Sequence, residues 1–119
     1  GMDDALTRAQ AYAGAGVDGI MIHSRKKQAD EVIEFARMFR QDFSDIPLVC
    51  VPTSYNQITE DELAAHGFNL VIYANHLLRA SYPAMNKVAH TILQQGRSLE
   101  VDKDLISIKE ILELIPGTR

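Results

Sequence analysis

Three short apolar runs, each ending in polar residues, constrain the fold of this chain more than any other feature. The runs cover residues 19–22, 48–51 and 70–74. The segments between them carry apolar residues every three or four positions, which is the spacing of an amphipathic helix. Strands that alternate with helices normally pair in parallel through right-handed crossovers. The sequence therefore predicts an α/β protein with three parallel strands.

The helices are predicted from periodicity and from their start and stop signals. Residues 59–62 and 107–110 have the S/T-x-x-E form of a capping box, and Gly96 is a typical helix stop. A terminal helix would follow Ser107 and end at Pro116 and Gly117. The other expected helices cover about residues 3–14, 29–39, 59–67 and 83–96.

The length of the chain limits how much of a fold it can supply. Its 119 residues make one domain, residues 2–119, with Gly1 interpreted as a residue left by tag removal. A complete (β/α)8 barrel takes roughly 250 residues. Three parallel strands neither close a barrel nor make a self-sufficient sheet, because edge backbone groups and one apolar face lack partners. We therefore expect a half-barrel that is completed by oligomerisation.

Composition and charge exclude several classes of function. The net charge of -4 and a pI near 5.5 are not typical of a nucleic-acid-binding protein, which needs clustered Lys and Arg. The basic run at residues 25–27 is interpreted as a solvated loop, with contact to an anionic ligand as the alternative. No apolar stretch approaches the length of a membrane span, and the N-terminus has no signal-peptide pattern. These observations predict a cytoplasmic protein without nucleic-acid or membrane partners.

The candidate site residues lie where the three apolar runs end. Ligands of parallel α/β proteins bind at the carboxyl ends of the strands, so these polar residues would share one rim. His23 could bind an anionic group or act as an acid or base, or it could be held by local backbone groups. Asn75 could position a substrate oxygen or cap the turn after the third strand. The residues of the three predicted strand ends are His23, Ser24 and Arg25; Thr53 and Tyr55; and Asn75 and His76.

Several standard chemical motifs are absent from the sequence. It contains no G-x-G-x-x-G, P-loop, H-E-x-x-H or G-x-S-x-G pattern. The single cysteine, Cys50, lies in the second apolar run and is interpreted as a core residue and not as a nucleophile. No strand end carries the clustered carboxylates that Mg²⁺ prefers, so no metal ligand is predicted in this chain.

Four segments in order resemble the phosphoenolpyruvate mutase branch of the isocitrate lyase superfamily. They are residues 11–24 (AYAGAGVDGIMIHS), 51–53 (VPT), 73–81 (YANHLLRAS) and 98–111, which begins SLEVD. The resemblance runs nearly from end to end. It implies the C-terminal portion of a (β/α)8 TIM barrel, from the helix after strand five onward.

The resemblance also implies an activity. The mutase interconverts phosphoenolpyruvate and phosphonopyruvate, which forms the phosphorus-carbon bond of phosphonate biosynthesis, with Mg²⁺ holding the substrate. The histidine that matches His23 is implicated in binding the phosphoryl group, so His23 is the predicted catalytic residue. His23, Ser24, Thr53 and Asn75 are the predicted substrate-binding residues.

The resemblance leaves several alternatives open. The family's Mg²⁺-binding aspartates and gating loop lie upstream of the matched segments, so this chain is expected to be inactive alone and to need a missing N-terminal half. The parent enzyme could also be a phosphonopyruvate hydrolase or a 2-methylisocitrate lyase. A non-catalytic, self-associating half-barrel is the remaining alternative.

Overall fold

A computed structural model describes residues 1–115 and residue 117. The chain divides into two compact units, Gly1–Ala74 and Asn75–Arg119. We refer to them as unit 1 and unit 2. Unit 1 contains α1 (Met2–Gly14), β1 (Ile20–Ile22), α2 (Asp30–Asp42), β2 (Leu48–Cys50), α3 (Glu60–Ala65) and β3 (Leu70–Val71). Unit 2 contains α4 (His76–Gln95), a 3-10 helix (Leu99–Asp104) and α5 (Ile108–Glu113).

The three strands form a parallel sheet in the order β1-β2-β3, as the sequence predicts. Ile22 pairs with Cys50, and Cys50 pairs with Val71. The ladder extends one residue beyond β3, where the Ile72 N–H donates to the Cys50 carbonyl at 2.9 Å. The α/β fold class is therefore confirmed, although the strands are shorter than the apolar runs.

The core of unit 1 lies between one face of the sheet and its helices. Three phenylalanines of this core stack in sequence, with ring centroids of Phe35 and Phe39 5.8 Å apart and those of Phe39 and Phe43 5.0 Å apart. The opposite face of the sheet is open: Met21 is 61% exposed and Leu70 is 50% exposed. Parallel sheets are normally covered on both faces, so this open apolar face agrees with the expectation of an incomplete barrel. The largest fully buried side chains of unit 1 are Tyr55, Phe35, Phe39, Leu48, Leu63, Val32 and Cys50.

Arg40 connects the end of α2 to two loops of unit 1. Its guanidinium donates to the carbonyls of Phe43 (3.1 Å), Ser44 (2.9 Å), Ile46 (2.7 Å) and Gly67 (2.6 Å), and to Asn69 Oδ1 (2.7 Å). A planar guanidinium can serve several acceptors at once, which an ammonium cannot do with the same geometry. Arg40 therefore holds the loops that lead into β2 and β3.

Unit 2 is built differently. Among its described residues only Val101 is buried, at 1% exposure. Lys87 of α4 forms an ion pair with Asp104 of the 3-10 helix at 2.7 Å. Its helices expose many large apolar side chains, among them Leu77 (86%) and Leu93 (82%).

The fourth helix corrects the sequence prediction. It begins at His76, directly after Asn75, and not near Pro83. Pro83 lies inside α4, where it leaves the Arg79 carbonyl without its helical hydrogen bond and its ring crowds that carbonyl, on an exposed stretch. The sequence predicts a helix start near Pro83 because proline is favoured in the first turn, but here the helix begins seven residues earlier.

The remaining boundary predictions mostly hold. Both capping boxes form, with Thr59 paired to Glu62 and Ser107 paired to Glu110. Gly96 ends α4 in the left-handed conformation, at φ 65°. The polar stretch between Gly96 and Ser107 contains the 3-10 helix Leu99–Asp104. Pro116, predicted to stop the last helix, lies outside the described residues.

Candidate functional site

The candidate site of unit 1 lies at the carboxyl ends of β1 and β2. His23 directly follows β1, and Thr53 lies three residues beyond the end of β2. Because Ile22 and Cys50 are paired, the residues that follow them leave the sheet side by side. The structure therefore brings His23, Ser24 and Thr53 to neighbouring strand ends, as the sequence predicts.

His23 is an exposed side chain at this rim. It lines a pocket of about 240 Å³ whose other polar side chains are Arg8 of α1 and Glu31 of α2. An exposed imidazole at a strand end can donate a directional hydrogen bond to an anionic group. This position suits the role that the sequence resemblance implies for His23.

Ser24 is buried, with 6% of its surface exposed. Its hydroxyl donates to Glu31 Oε2 at 2.5 Å and accepts a hydrogen bond from the Lys26 N–H at 3.2 Å. Lys26 Nζ in turn lies 3.1 Å from Glu31 Oε1. The Ser24 hydroxyl and the Lys26 ammonium both lower the pKa of the Glu31 carboxyl below its usual value of 4.5, with the hydroxyl the larger cause. The loop after His23 is therefore tied to the first turn of α2.

The basic run at residues 25–27 is exposed, as predicted. Its middle member, Lys26, is engaged with Glu31. Arg25 and Lys27 lie on either side of this ion pair, on the same loop as His23. Their positive charges lie on the loop next to His23, where they would favour binding of an anionic ligand.

Thr53 is partly buried, and its N–H donates to the Val51 carbonyl at 2.8 Å, which makes a tight turn after β2. Tyr55, interpreted from the sequence as a rim hydroxyl, is instead a core residue with 1% exposure. That expectation is wrong because the loop after β2 folds back and places the Tyr55 ring among the core side chains. Burial, and secondarily Cys50, raise the pKa of Tyr55 to about 12, and its hydroxyl makes no hydrogen bond of normal geometry within the described part of the chain.

Cys50 lies in the core, fully buried, as the apolar run predicts. Burial raises the pKa of its thiol to about 11. A thiol with so high a pKa stays protonated near neutral pH and is a poor nucleophile.

Asn75 belongs to unit 2, where it is the N-cap of α4. Its backbone is left-handed, with φ 52°, and its carbonyl accepts the Arg79 N–H at 2.9 Å. Asparagine tolerates this conformation better than most residues, so its backbone can make the turn from β3 into α4. Its side chain makes no capping hydrogen bond, so its amide is not committed to the helix end.

The described residues contain no group of three or more His, Cys, Asp or Glu side chains placed to hold a metal ion. Residues 1–115 and 117 also contain no helix both long and apolar enough to cross a membrane.

The residue that the sequence analysis missed at this rim is Glu31. Glu31 lies in the first turn of α2, where an acidic residue is an ordinary helix-start signal and does not by itself indicate a site. The contact with Ser24 depends on how the loop folds back on α2, so spacing alone does not reveal it.

A parallel sheet with polar strand ends and an open apolar face is the arrangement of part of an α/β barrel enzyme. The family model for phosphoenolpyruvate phosphomutase matches residues 1–93. The chain belongs to this family.

Relatives cover nearly the whole chain. It is 44% identical over 115 residues to a phosphonopyruvate hydrolase from Variovorax sp. (strain Pal2), which covers 96% of this chain and 39% of the hydrolase. It is 33% identical over 114 residues to a phosphoenolpyruvate phosphomutase from Tetrahymena pyriformis, with 96% and 37% covered. A 2-methylisocitrate lyase from Aeropyrum pernix is 30% identical, with 97% and 36% covered, in agreement with the isocitrate lyase superfamily.

Solved structures agree with these relatives. The phosphoenolpyruvate phosphomutase from Streptomyces platensis subsp. rosaceus superposes with a TM-score of 0.84 at 35% identity, over 95% of this chain and 38% of that one. A phosphonopyruvate hydrolase in complex with oxalate and Mg²⁺ superposes with a TM-score of 0.82 at 44% identity, with 96% and 40% covered. The chain thus matches only part of these enzymes, about two fifths of their length or less.

Proposed function

We propose that this chain is part of an enzyme that acts on phosphonopyruvate, and that His23 binds the phosphoryl group of that substrate. The observation that carries the proposal is the exposed imidazole of His23 at the end of β1, in a chain of the phosphoenolpyruvate phosphomutase family. A fixed donor at this position stabilises negative charge on a transferring phosphoryl group without forming a covalent bond. Thr53 and Asn75 are proposed as further substrate contacts.

The reaction proposed first is the interconversion of phosphoenolpyruvate and phosphonopyruvate, which is supported by the family match. Hydrolysis of phosphonopyruvate is the second candidate, and the 44% identity to a hydrolase, against 33% to 36% to phosphomutases, favours it. Both reactions use the same substrate, and both need a hydrogen-bond donor at the phosphoryl group. They differ in whether water or the enol oxygen receives that group.

The proposal assigns Mg²⁺ to residues outside this chain. The described residues do not fit a metal site, and a related hydrolase is known in complex with Mg²⁺ and oxalate. The contribution of this chain is the rim that carries His23.

The proposal also includes a partner that covers the open sheet face, either the remaining barrel strands or a second copy of this chain. Met21 and Leu70 expose apolar surface on this face, and its burial against a partner is favourable. Light scattering on the purified chain tests the second option, which predicts a dimer or higher oligomer. A stable monomer at micromolar concentration would contradict self-association.

The experiment that tests the function replaces the matching 115-residue segment of the Variovorax hydrolase with this chain. The chimera is then given phosphonopyruvate and Mg²⁺, and the products are followed by ³¹P NMR. Turnover of phosphonopyruvate supports the proposed substrate and the rim that carries His23, since the metal ligands and the gating loop of the chimera come from the hydrolase portion. A folded chimera without turnover would contradict action on phosphonopyruvate.

A further inference from the structure

The loop that follows His23 is held by three contacts that converge on one carboxylate. The Ser24 hydroxyl donates to Glu31 Oε2 at 2.5 Å, the Lys26 ammonium lies 3.1 Å from Glu31 Oε1, and the Lys26 N–H donates to the Ser24 hydroxyl at 3.2 Å. Each of the two Glu31 oxygens therefore has its own partner. A carboxylate with both oxygens engaged is fixed in position more firmly than one with a single contact.

The Ser24 hydroxyl cannot serve a phosphonate oxygen while this arrangement stands. A hydroxyl has one proton to donate, and that proton is committed to Glu31. Phosphonate and carboxylate oxygens of a substrate are acceptors and need donors. Ser24 is also 6% exposed, so little of it faces solvent. Its place next to His23 therefore points to a supporting role and not to a substrate contact.

Glu31 is well placed to act as the anchor. It lies in the first turn of α2, where the helix dipole stabilises a negative charge, and α2 is fixed in the core by Val32, Phe35 and Phe39. A contact to this helix transfers the rigidity of the core to the loop. Within residues 1–115 and 117, no helix residue makes a comparable hydrogen bond to the side chain of the neighbouring His23.

We propose that Glu31 is a positioning residue, which acts through Ser24 and Lys26 to hold the backbone at His23 so that its imidazole meets the phosphoryl group. This proposal rests on the proposed function, because the loop orients His23 towards a substrate only if the enzyme binds phosphonopyruvate. It changes the role assigned to Ser24 from substrate binding to positioning. Loss of the anchor lowers the efficiency of the reaction without unfolding the protein, because neither Ser24 nor Glu31 belongs to the hydrophobic core.

The first test needs no substrate and uses the full 119-residue chain. ¹⁵N relaxation of the amides of residues 23–27, and ¹³C relaxation of the His23 ring, are measured in Glu31→Gln and in Glu34→Gln. Glu34 is a matched control, since it is on the same helix and pairs with Arg37 at 2.7 Å. We expect Glu31→Gln to raise the mobility of His23 and its loop, and Glu34→Gln to leave it unchanged. Equal effects of the two variants would overturn the proposal.

Ser24 provides a second pair of variants. Ser24→Ala removes the hydroxyl and should mobilise the loop as Glu31→Gln does, whereas Ser24→Thr keeps the hydroxyl and should restore order. A loop that is equally ordered in Ser24→Ala and in the wild type would contradict the proposal, even if Glu31→Gln fails to fold.

A pH series separates positioning from a general structural effect. The contacts lower the pKa of Glu31, so they are complete above its ordinary value of 4.5 and are lost as the pH falls below that value. The loop should become mobile in acid in the wild type but not change with pH in Glu31→Gln. The other charged groups near Glu31 are Lys26, the amino terminus, and Arg8 and His23 of the same pocket. An Arg8→Met variant should keep the acid transition. If the transition disappears in Arg8→Met, it does not arise from the contacts of Glu31 with Ser24 and Lys26.

The catalytic consequence is measured in the chimera described above. Glu31→Gln should reduce kcat/KM by up to about 100-fold, as displacement of a positioned group does, and Glu34→Gln should not. A chimera without any turnover would contradict the proposed function but leave the relaxation result standing, so the two failures are distinguishable. Normal kcat/KM in a Glu31→Gln chimera would overturn the positioning role.

Discussion

The two units differ in how they are stabilised. Unit 1 buries aromatic and aliphatic side chains from α1, α2, α3 and the sheet in one cluster. Unit 2 buries one described residue, Val101, and its ion pairs Lys87–Asp104 and Arg97–Glu100 lie at the surface. Exposed ion pairs contribute little free energy, about 0 to 1 kcal/mol each. The difference indicates that unit 1 carries most of the stability of this chain and that the helices of unit 2 need cover from another surface.

A matched pair of leucine truncations tests this contrast with the largest expected effect. Leu48 is fully buried in unit 1, and Leu93 is 82% exposed in unit 2. Leu48→Ala should lower the free energy of unfolding by about 3 kcal/mol, through lost burial and the cavity left behind. Leu93→Ala should change it by less than about 0.5 kcal/mol. Urea denaturation of both variants measures the two values, and similar losses would remove the distinction between the units.

Arg40 tests whether polar contacts also stabilise unit 1. Arg40→Met removes the donor that serves four backbone carbonyls and the Asn69 side chain. We expect a loss of about 2 to 3 kcal/mol in the free energy of unfolding, because these acceptors lose a charged partner. Arg37→Met is the control. Arg37 is exposed, and within residues 1–115 and 117 its side chain hydrogen-bonds to Glu34 alone. A loss no greater than that of the control would show that the Arg40 contacts are not stabilising.

Two buried ionisable side chains of unit 1, Cys50 and Tyr55, predict a loss of stability at alkaline pH. Burial raises the pKa of Cys50 to about 11 and that of Tyr55 to about 12, above their usual values of 9.0 and 10.0. The unfolded chain therefore loses these protons first, so stability is complete below about pH 9 and falls as the pH rises towards 11. Thermal unfolding between pH 8 and 11 measures this fall, which Cys50→Val should reduce. A melting temperature independent of pH over this range would contradict the burial of both groups.

The capping boxes provide the smallest test, one in each unit. Thr59→Ala in unit 1 and Ser107→Ala in unit 2 each remove a side-chain cap, which costs about 1 kcal/mol of helix stability. Thr59→Ala should lower the global free energy of unfolding, because α3 carries the core residue Leu63. Ser107→Ala should act on α5 alone, so circular dichroism should show lost helix without a shift in the unfolding of unit 1. A global loss from both variants would indicate one cooperative unit.

Much of the fold could be predicted from the sequence because its signals are local. Apolar runs of four or five residues define strands, and the residues Thr59 and Ser107 define helix starts by contacts within one turn. The start of α4 could not be predicted, because proline favours the first turn of a helix and disfavours its interior, whereas Pro83 lies inside α4. The burial of Tyr55 could not be predicted either, since its position depends on how a loop packs against the core.

The candidate site was predicted in part for the same reason. His23 follows a strand in the sequence, so its place at the rim is a local property. The contact between Ser24 and Glu31 joins a loop to a helix and has no signature in residue spacing. Asn75 is the first residue of unit 2, whereas His23 and Thr53 belong to unit 1. Its proposed contact with the same substrate therefore stays a prediction.

The measurement that tests the central claim most directly compares two histidine variants in the chimeric enzyme. His23→Ala should lower kcat for phosphonopyruvate by about 100-fold or more, because a donor aimed at developing charge is lost. His66→Ala changes another exposed histidine of unit 1, at the end of α3, and should leave kcat within about twofold of the parent chimera. Equal rates for the two variants would contradict the assignment of His23 to the phosphoryl group.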